Sequence, residues 1–295
     1  MRQLRALVVA AGMIILTFVR TAFVFSGGAS LGACQAGMLE ALLERRVRPD
    51  LLVGTSVGAI NAAFVASRPP SVQTARELQR IWRGLRRGQV FPANPITASL
   101  GLLGLRDHSV SAASLRRVLV RHLGVDRLED ADVPLHVVTT DFISGEEVLL
   151  TTGPALDAIL ASAAIPGVFP PIPWGSRVLV DGGIVNNTPI SHAVALGADR
   201  VIVLPALGAA PLRSPPRGVL AAGVAAVSRA LTYRLVEDLA RYRHDAELVV
   251  LPAPAVGGIM PTDFGHAEEL VSEGLRRGRE VLVRDRSVVP LRQAA

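Results

Sequence analysis

Three short stretches of this sequence hold residues whose type and spacing could perform acyl transfer. The first is Gly54-Thr55-Ser56-Val57-Gly58. Apolar Leu51-Leu52-Val53 enters it and the small-residue run Ala59 to Ala66 leaves it, which predicts a strand, a tight turn and a helix with a serine at the apex. Gly54 and Gly58, two before and two after the serine, carry no side chain to clash in so sharp a turn. The hydroxyl then stands at a helix N-terminus, where the dipole favours developing negative charge. On this motif alone, a glycine-rich strand–helix turn with an ordinary capping serine is the alternative.

The second stretch is Ser26-Gly27-Gly28-Ala29-Ser30-Leu31-Gly32, directly after an apolar run and opening a helical pattern. Backbone N–H groups in such a loop converge on an anion. It is not a phosphate-binding Walker loop, because Ala33-Cys34 follows Gly32 where Lys-Ser/Thr is required, and it is not a dinucleotide fingerprint, because Ala29 replaces the middle glycine. Its other use is an oxyanion hole, where one donor is worth about 3–4 kcal/mol in the transition state. The third stretch is Asp181-Gly182-Gly183, at the end of the apolar run Val178 to Val180. A turn aspartate is the bland reading; a carboxylate for proton transfer is the chemical one. Strand ends on one edge of a parallel sheet are where such folds build sites, so the three stretches could meet, each supplying a role the others lack.

Short apolar runs alternate with longer helical patterns along the chain, which predicts a single three-layer α/β domain, a mainly parallel central sheet flanked by helices. The strands are expected at 22–25, 51–53, 135–140, 148–152, 178–180, 201–204 and 248–251. The helices are expected at 31–46, 57–67, 72–85, 111–122, 155–164, 219–243 and 266–283. Between Arg86 and Ser109 the periodicity fades into an apolar, turn-rich segment containing Phe91, Pro92, Pro95, Leu100, Leu102, Leu103 and Leu105. It reads equally as an irregular connection and as a lid or pocket wall. No repeat or linker divides the chain.

Half of the 295 residues are hydrophobic and 19% are charged, so the protein is globular and somewhat greasy. Aromatics are scarce at 4%, which argues against a base-stacking surface and hence against a nucleic-acid partner. The formal charge is +6 and every one of the basic residues is arginine. Arg76, Arg80, Arg83, Arg86 and Arg87 read first as a solvated helix face and second as an attraction for anionic headgroups. One cysteine, Cys34, excludes an internal disulfide, and no Cys/His spacing suits a metal, so neither a metal nor another cofactor is expected. Ala6 to Val19 is a continuous apolar run flanked by Arg2, Arg5 and Arg20, shorter than the roughly 20 residues of a spanning helix. It stands open as an uncleaved anchor, a signal-like segment or an upstream extension outside the working protein.

With these residues in view, the chain resembles the bacterial patatin-like phospholipases. Their glycine-rich oxyanion loop, GxSxG elbow and distant Asp-Gly-Gly correspond to Gly27 to Gly32, Gly54 to Gly58 and Asp181 to Gly183. Gly37-Met38-Leu39-Glu40-Ala41-Leu42, Ala163 to Pro171 and Asn186-Asn187-Thr188-Pro189 are also similar to that family. The likeness runs from about Thr21 to Ala198, giving an N-terminal extension at 1–20, a catalytic core at 21–198, and strands and helices at 199–295 that complete the same domain. Ala29 and Leu31 depart from the pattern, standing where many members have a third glycine and an arginine or lysine.

The resemblance implies a Ser-Asp dyad, with Ser56 as nucleophile, Asp181 as the base, and Gly27, Gly28 and Ala29 offering N–H groups to the oxyanion. Gly32, Gly54, Gly58, Gly182 and Gly183 support the motifs. It implies hydrolysis of carboxylic esters in phospholipid-like substrates through an acyl-enzyme, no cofactor, and association with a membrane surface. The expected location is the cytoplasm or the inner membrane face, with an N-terminal anchor left open. Two rivals remain: a Ser-His-Asp esterase using His192, His244 or His266, and a catalytically silent lipid-binding protein.

Overall fold

The computed structural model describes residues 19–92, 107–208, 215–254 and 259–284. The apolar run from Ala6 therefore lies, up to Thr17 and Phe18, outside the described residues, as do Pro95, Leu100, Leu102, Leu103 and Leu105 of the turn-rich segment. One eight-stranded sheet organises the rest. Its strands are β1 (Thr21–Phe25), β2 (Leu51–Thr55), β3 (Leu135–Asp141), β4 (Glu147–Leu150), β5 (Ile172–Trp174), β6 (Arg177–Asp181), β7 (Arg200–Leu204) and β8 (Glu247–Val250). The order is β5-β6-β3-β2-β1-β7-β8, with β4 also paired to β3.

The five strands from β3 to β8 in that order run parallel, and β4, β5 and β6 are joined antiparallel. β1 and β2 are buried along their whole length, as continuous apolar runs in a doubly covered parallel sheet must be.

Helices α1 (Ala33–Glu44), α2 (Val57–Ala66), α3 (Val72–Gly84), α4 (Arg87–Val90), α5 (Ala113–His122) and α6 (Ala155–Ser162) precede β5. Helices α7 (Ile190–Ala195), α8 (Val219–Tyr242) and α9 (Ala267–Arg284) follow β6. The core divides by sheet face. Phe23, Phe25, Leu52 and Val137 pack with α1, α2 and α6 on one side; Ala22, Val24, Val53 and Val138 pack with Ile190 and Ala193 of α7 on the other. That alternation is the period-two geometry of a strand. Among the described residues no helix is long and apolar enough to cross a membrane.

One expectation needs correction. Asp181 does end a strand, but β6 is antiparallel to β3, so it does not share the C-terminal edge of the parallel strands in the simple way anticipated. It pairs with Thr139, while Val138 pairs with Thr55. β3 overshoots β2, β6 returns along the overhang, and its last residue arrives level with the end of β2. This register, rather than a common strand direction, brings Asp181 to Ser56.

Candidate active site

Ser56 sits between β2 and α2 with φ 57° and ψ −127°, a left-handed backbone that a non-glycine residue adopts under strain. The turn is held by close approach. A side chain on Gly54 would strike the Ala59 backbone at 2.6 Å, and one on Gly58 would strike the Phe25 carbonyl. The Ser56 N–H donates to Ser162 Oγ at 2.8 Å, and Ser162 Oγ–H donates to the Val138 carbonyl at 2.6 Å. The Ser56 hydroxyl makes no capping bond to α2, which removes the capping-serine alternative. It donates instead to Asp181 Oδ2 at 2.6 Å.

Asp181 is itself held at both ends. Its Oδ1 accepts the Gly183 N–H at 2.7 Å, and its carbonyl accepts Thr140 Oγ1–H at 3.0 Å. Gly182 lies so close to the Val138 carbonyl that no side chain fits there. Both partners of the pair are buried, Ser56 at 7% and Asp181 at 6% exposure. Loss of water pushes the Asp181 carboxyl up to about 6, against the lowering effect of the Ser56 hydroxyl and the Gly183 N–H.

The glycine loop after β1 reaches the same place. A side chain added to Gly27 would come within 3.1 Å of Ser56 Cβ, and one on Gly28 within 2.6 Å of Ala206 Cβ. The loop is fastened from behind. Gln35 Nε2 donates to the Ser26 and Leu204 carbonyls at 2.8 Å each, and the Ala206 N–H donates to Ser26 Oγ at 2.8 Å. Ala29 adopts φ 49°, the left-handed region a glycine would enter freely.

The three expected donors are not equivalent. The Gly27 N–H donates to the Asn187 carbonyl at 3.1 Å, and Asn187 Nδ2 donates back to the Gly27 carbonyl at 3.3 Å. Gly27 is thus engaged in holding the loop and is corrected from donor to anchor. Among the described residues Gly28 and Ala29 have no acceptor for their N–H groups, and Ala29 lines the cavity beside Ser56. Gly32 serves packing, since a side chain there would meet Val57 at 2.8 Å. Leu31, at the position of the missing cation, is half-buried against the core.

A cavity of about 90 Å³ opens at Ser56 and Ala29. Its wall follows one face of α2 through Ile60 and Phe64 and is almost wholly apolar, with Trp82, Phe91, Phe169 and Phe264 contributing rings. Phe91 stacks on Phe169 with centroids 5.3 Å apart, and Trp82 on Phe264 at 6.2 Å. Besides Ser56, the cavity's polar lining residues are His122 and Asn61, and Asn61 is fully engaged: it donates to the Gly32 carbonyl and Gln35 Oε1 and accepts from Trp82 Nε1 at 3.0 Å. Val90 and Phe91 therefore bear out the pocket-wall reading for the part of the turn-rich segment that is described.

The three candidate histidines are engaged elsewhere. His192 Nε2 lies 2.6 Å from Glu147 Oε1, His244 bonds Arg243, and His266 bonds Glu269. None is hydrogen-bonded to Ser56 or Asp181. Sequence reasoning missed Ser162, which carries no motif and acts through a contact 106 residues away, and did not separate Asn187 from its family-like neighbours.

The chain is similar to known proteins over much of this region. A family model described as patatin-like phospholipase matches residues 23–194. A patatin-like phospholipase domain-containing protein of Caenorhabditis elegans is 31% identical over 193 residues, 64% of this chain and 17% of that protein. An NTE family protein of Mycobacterium bovis is 31% identical over 212 residues, 68% of this chain and 54% of that protein. The chain thus spans between about a seventh and about half of the curated relatives it matches. Among solved structures, VipD from Legionella pneumophila superposes with a TM-score of 0.50 over 90% of this chain and 67% of that one, at 14% identity, a likeness of fold alone.

Proposed function

The chain belongs to the patatin-like phospholipase family, and from that premise we propose that it hydrolyses carboxylic esters of lipid-like substrates through Ser56 and Asp181. The observation that carries this reading is the 2.6 Å bond from Ser56 Oγ to Asp181 Oδ2 at the mouth of an apolar cavity. As the serine oxygen attacks the ester carbonyl, its proton passes to Asp181 Oδ2. The oxyanion that forms is met by the N–H groups of Gly28 and Ala29. Collapse expels the alcohol, which takes the proton from Asp181, and leaves the acyl group on Ser56. Water then enters and attacks the acyl carbon as its proton passes to Asp181; collapse breaks the bond to Ser56 Oγ, which takes that proton back from Asp181 as the acid leaves. The acyl chain lies along α2 in the cavity.

No imidazole is needed in this scheme, and a base of pKa about 6 is better matched to a serine hydroxyl than an ordinary aspartate is. The positive net charge suits docking to an anionic lipid surface, where such esters reside. A fluorophosphonate should add one adduct to the wild-type protein, read by intact mass, and none to Ser56→Ala. Absence of an adduct on the wild type would overturn the reading and leave a silent lipid-binding protein, and one that persists in Ser56→Ala would overturn it by placing the nucleophile elsewhere. Screening phospholipid, lysophospholipid, glyceride and short-chain esters then fixes the head group.

A further inference from the structure

The cavity has a far end that the reaction does not use. From Ser56 its wall passes Ile60 and Phe64, one and two turns along α2, and Arg68 follows just past the end of that helix at Ala66. There the cavity abuts a second hollow, a groove of about 640 Å³ between α3 and α5. Phe64, Ile81, Leu85, Val118 and His122 line both. Beyond that shared wall the chemistry inverts. Arg68, Arg80, Arg117 and Arg121 face the groove, and Glu77 is the one carboxylate among its described lining residues.

These guanidiniums are positioned but not neutralised. Arg68 donates to the Phe64 and His122 carbonyls at 3.0 and 2.9 Å and lies 3.8 Å over the Phe64 ring. Arg117 donates to the Ala113 carbonyl and Ser114 Oγ. Arg80 meets Glu77 only at 3.8 Å, and Glu77 already accepts from Gln73 at 2.9 Å. Among the described residues no carboxylate pairs with Arg68, Arg117 or Arg121 in ion-pair range. Carbonyls and hydroxyls orient a cation without cancelling its charge, so the groove keeps a positive field beside the end of a hydrocarbon channel.

We propose that this groove is an anion-binding site for the far end of the substrate, a chain whose ester lies at Ser56 and whose other end carries a carboxylate or a phosphate. Either group matches the planar fork of a guanidinium. An uncharged chain end gains nothing from four arginines, whereas an anionic end would be stranded if the apolar cavity closed on itself. Burial also lowers the pKa of Arg68, a charge short of water that an anion would resolvate. The orientation of the chain rests on the esterase reading; the anion site does not.

Binding is therefore measured first on Ser56→Ala, by calorimetry, with methyl dodecanoate, monomethyl dodecanedioate and the phosphate-ended analogue of the same length. The anionic chains should bind at least about tenfold more tightly than the neutral one. That advantage should fall about tenfold in Arg80→Ala/Arg121→Ala, whose replaced side chains are exposed and carry no packing. The tighter of the two anionic chains names the end group. Parity of both with the neutral ester, or an advantage that survives the double substitution, overturns the proposal. Tighter binding of the anionic chains with no hydrolysis of any ester by the wild type would uphold the groove and sink the esterase reading instead.

Discussion

Asp181 carries two demands that conflict. In the proposed role of proton acceptor for Ser56 it must be ionised, yet its site excludes the water that an ionised carboxylate prefers. Desolvation prevails over the two hydrogen bonds and pushes the group up to about 6. The rate should therefore fall on acidification through about pH 6, as an acid limb in kcat/KM. Stability runs the other way. The folded state holds this proton more tightly than the unfolded chain does, so stability declines as pH rises from the ordinary aspartate range through about 6 and then levels off. Above that window the buried charge costs about 3 kcal/mol, two pK units in round figures.

Asp181→Asn keeps an acceptor for Gly183 and a polar partner for Ser56 but has no charge to bury. It should lose about 10²–10⁴ in turnover while melting higher than the wild type well above pH 6, the gain shrinking towards pH 4. A variant that keeps its turnover, or gains no stability on the alkaline side, would remove Asp181 from this role. The sequence named Ser56 and Asp181 because glycines stand on both sides of the first and directly after the second, and glycine spacing is legible in one dimension. It did not reveal that Gly27 is tied to Asn187, or that Ser162 fixes the serine backbone, because those pairings join residues more than a hundred positions apart.

At the scale of elements, the glycine loop after β1 depends on α1, which continues from it, and α1 depends on α9. The two helices touch backbone to backbone. A side chain on Gly37 would land on the Val271 carbonyl, one on Gly274 on the Cys34 carbonyl, and one on Gly278 would come 2.9 Å from Ala41 Cβ. Gly37→Ala should therefore destabilise the protein by about 1–3 kcal/mol despite the better helix propensity of alanine. Gly223→Ala, in the second turn of α8 with open space around it, should stabilise by roughly 0.4–1 kcal/mol. Denaturant midpoints of the two variants moving in the same direction would refute the close-packing argument.

The hydrophobic pattern foretold most of these elements, α9 and the long α8 included, to within a few residues. It passed over the four-residue α4, over β5, three residues with Pro173 at the sheet edge, and over the six-residue α7, since none is long enough to show a period. The direction of β6 was also hidden. A strand's sequence records which faces are buried, not which way it runs beside its neighbour, so the antiparallel return that delivers Asp181 could be found only in three dimensions.

At the scale of the whole molecule, the apolar cavity proposed to hold the acyl chain belongs to no single motif. Its wall is drawn from Ala29 near one end of the described chain to Phe264 near the other, and this aromatic-poor protein places five rings in it. Such a surface forms only when α2, α3, α5 and α6 are docked together, so chain-length preference is a property of the assembled core. Ile60 tests this, standing one turn of α2 beyond Ser56 and half-buried on the cavity wall. Ile60→Trp adds bulk across the channel while leaving Ser56, Asp181 and the glycine loop in place.

A short acyl group ends before that point and a long one must pass it. The ratio of kcat/KM for a dodecanoate ester to that for a butyrate ester should fall by about 10- to 200-fold, the range set by gaining or losing a hydrophobic fit of 1–3 kcal/mol. Parallel losses on both esters would mean that the elbow itself had shifted, which fluorophosphonate labelling rates would register. An unchanged ratio with normal labelling would mean that the acyl chain leaves Ser56 by another route, and the apolar face of α2 would then be core and nothing more.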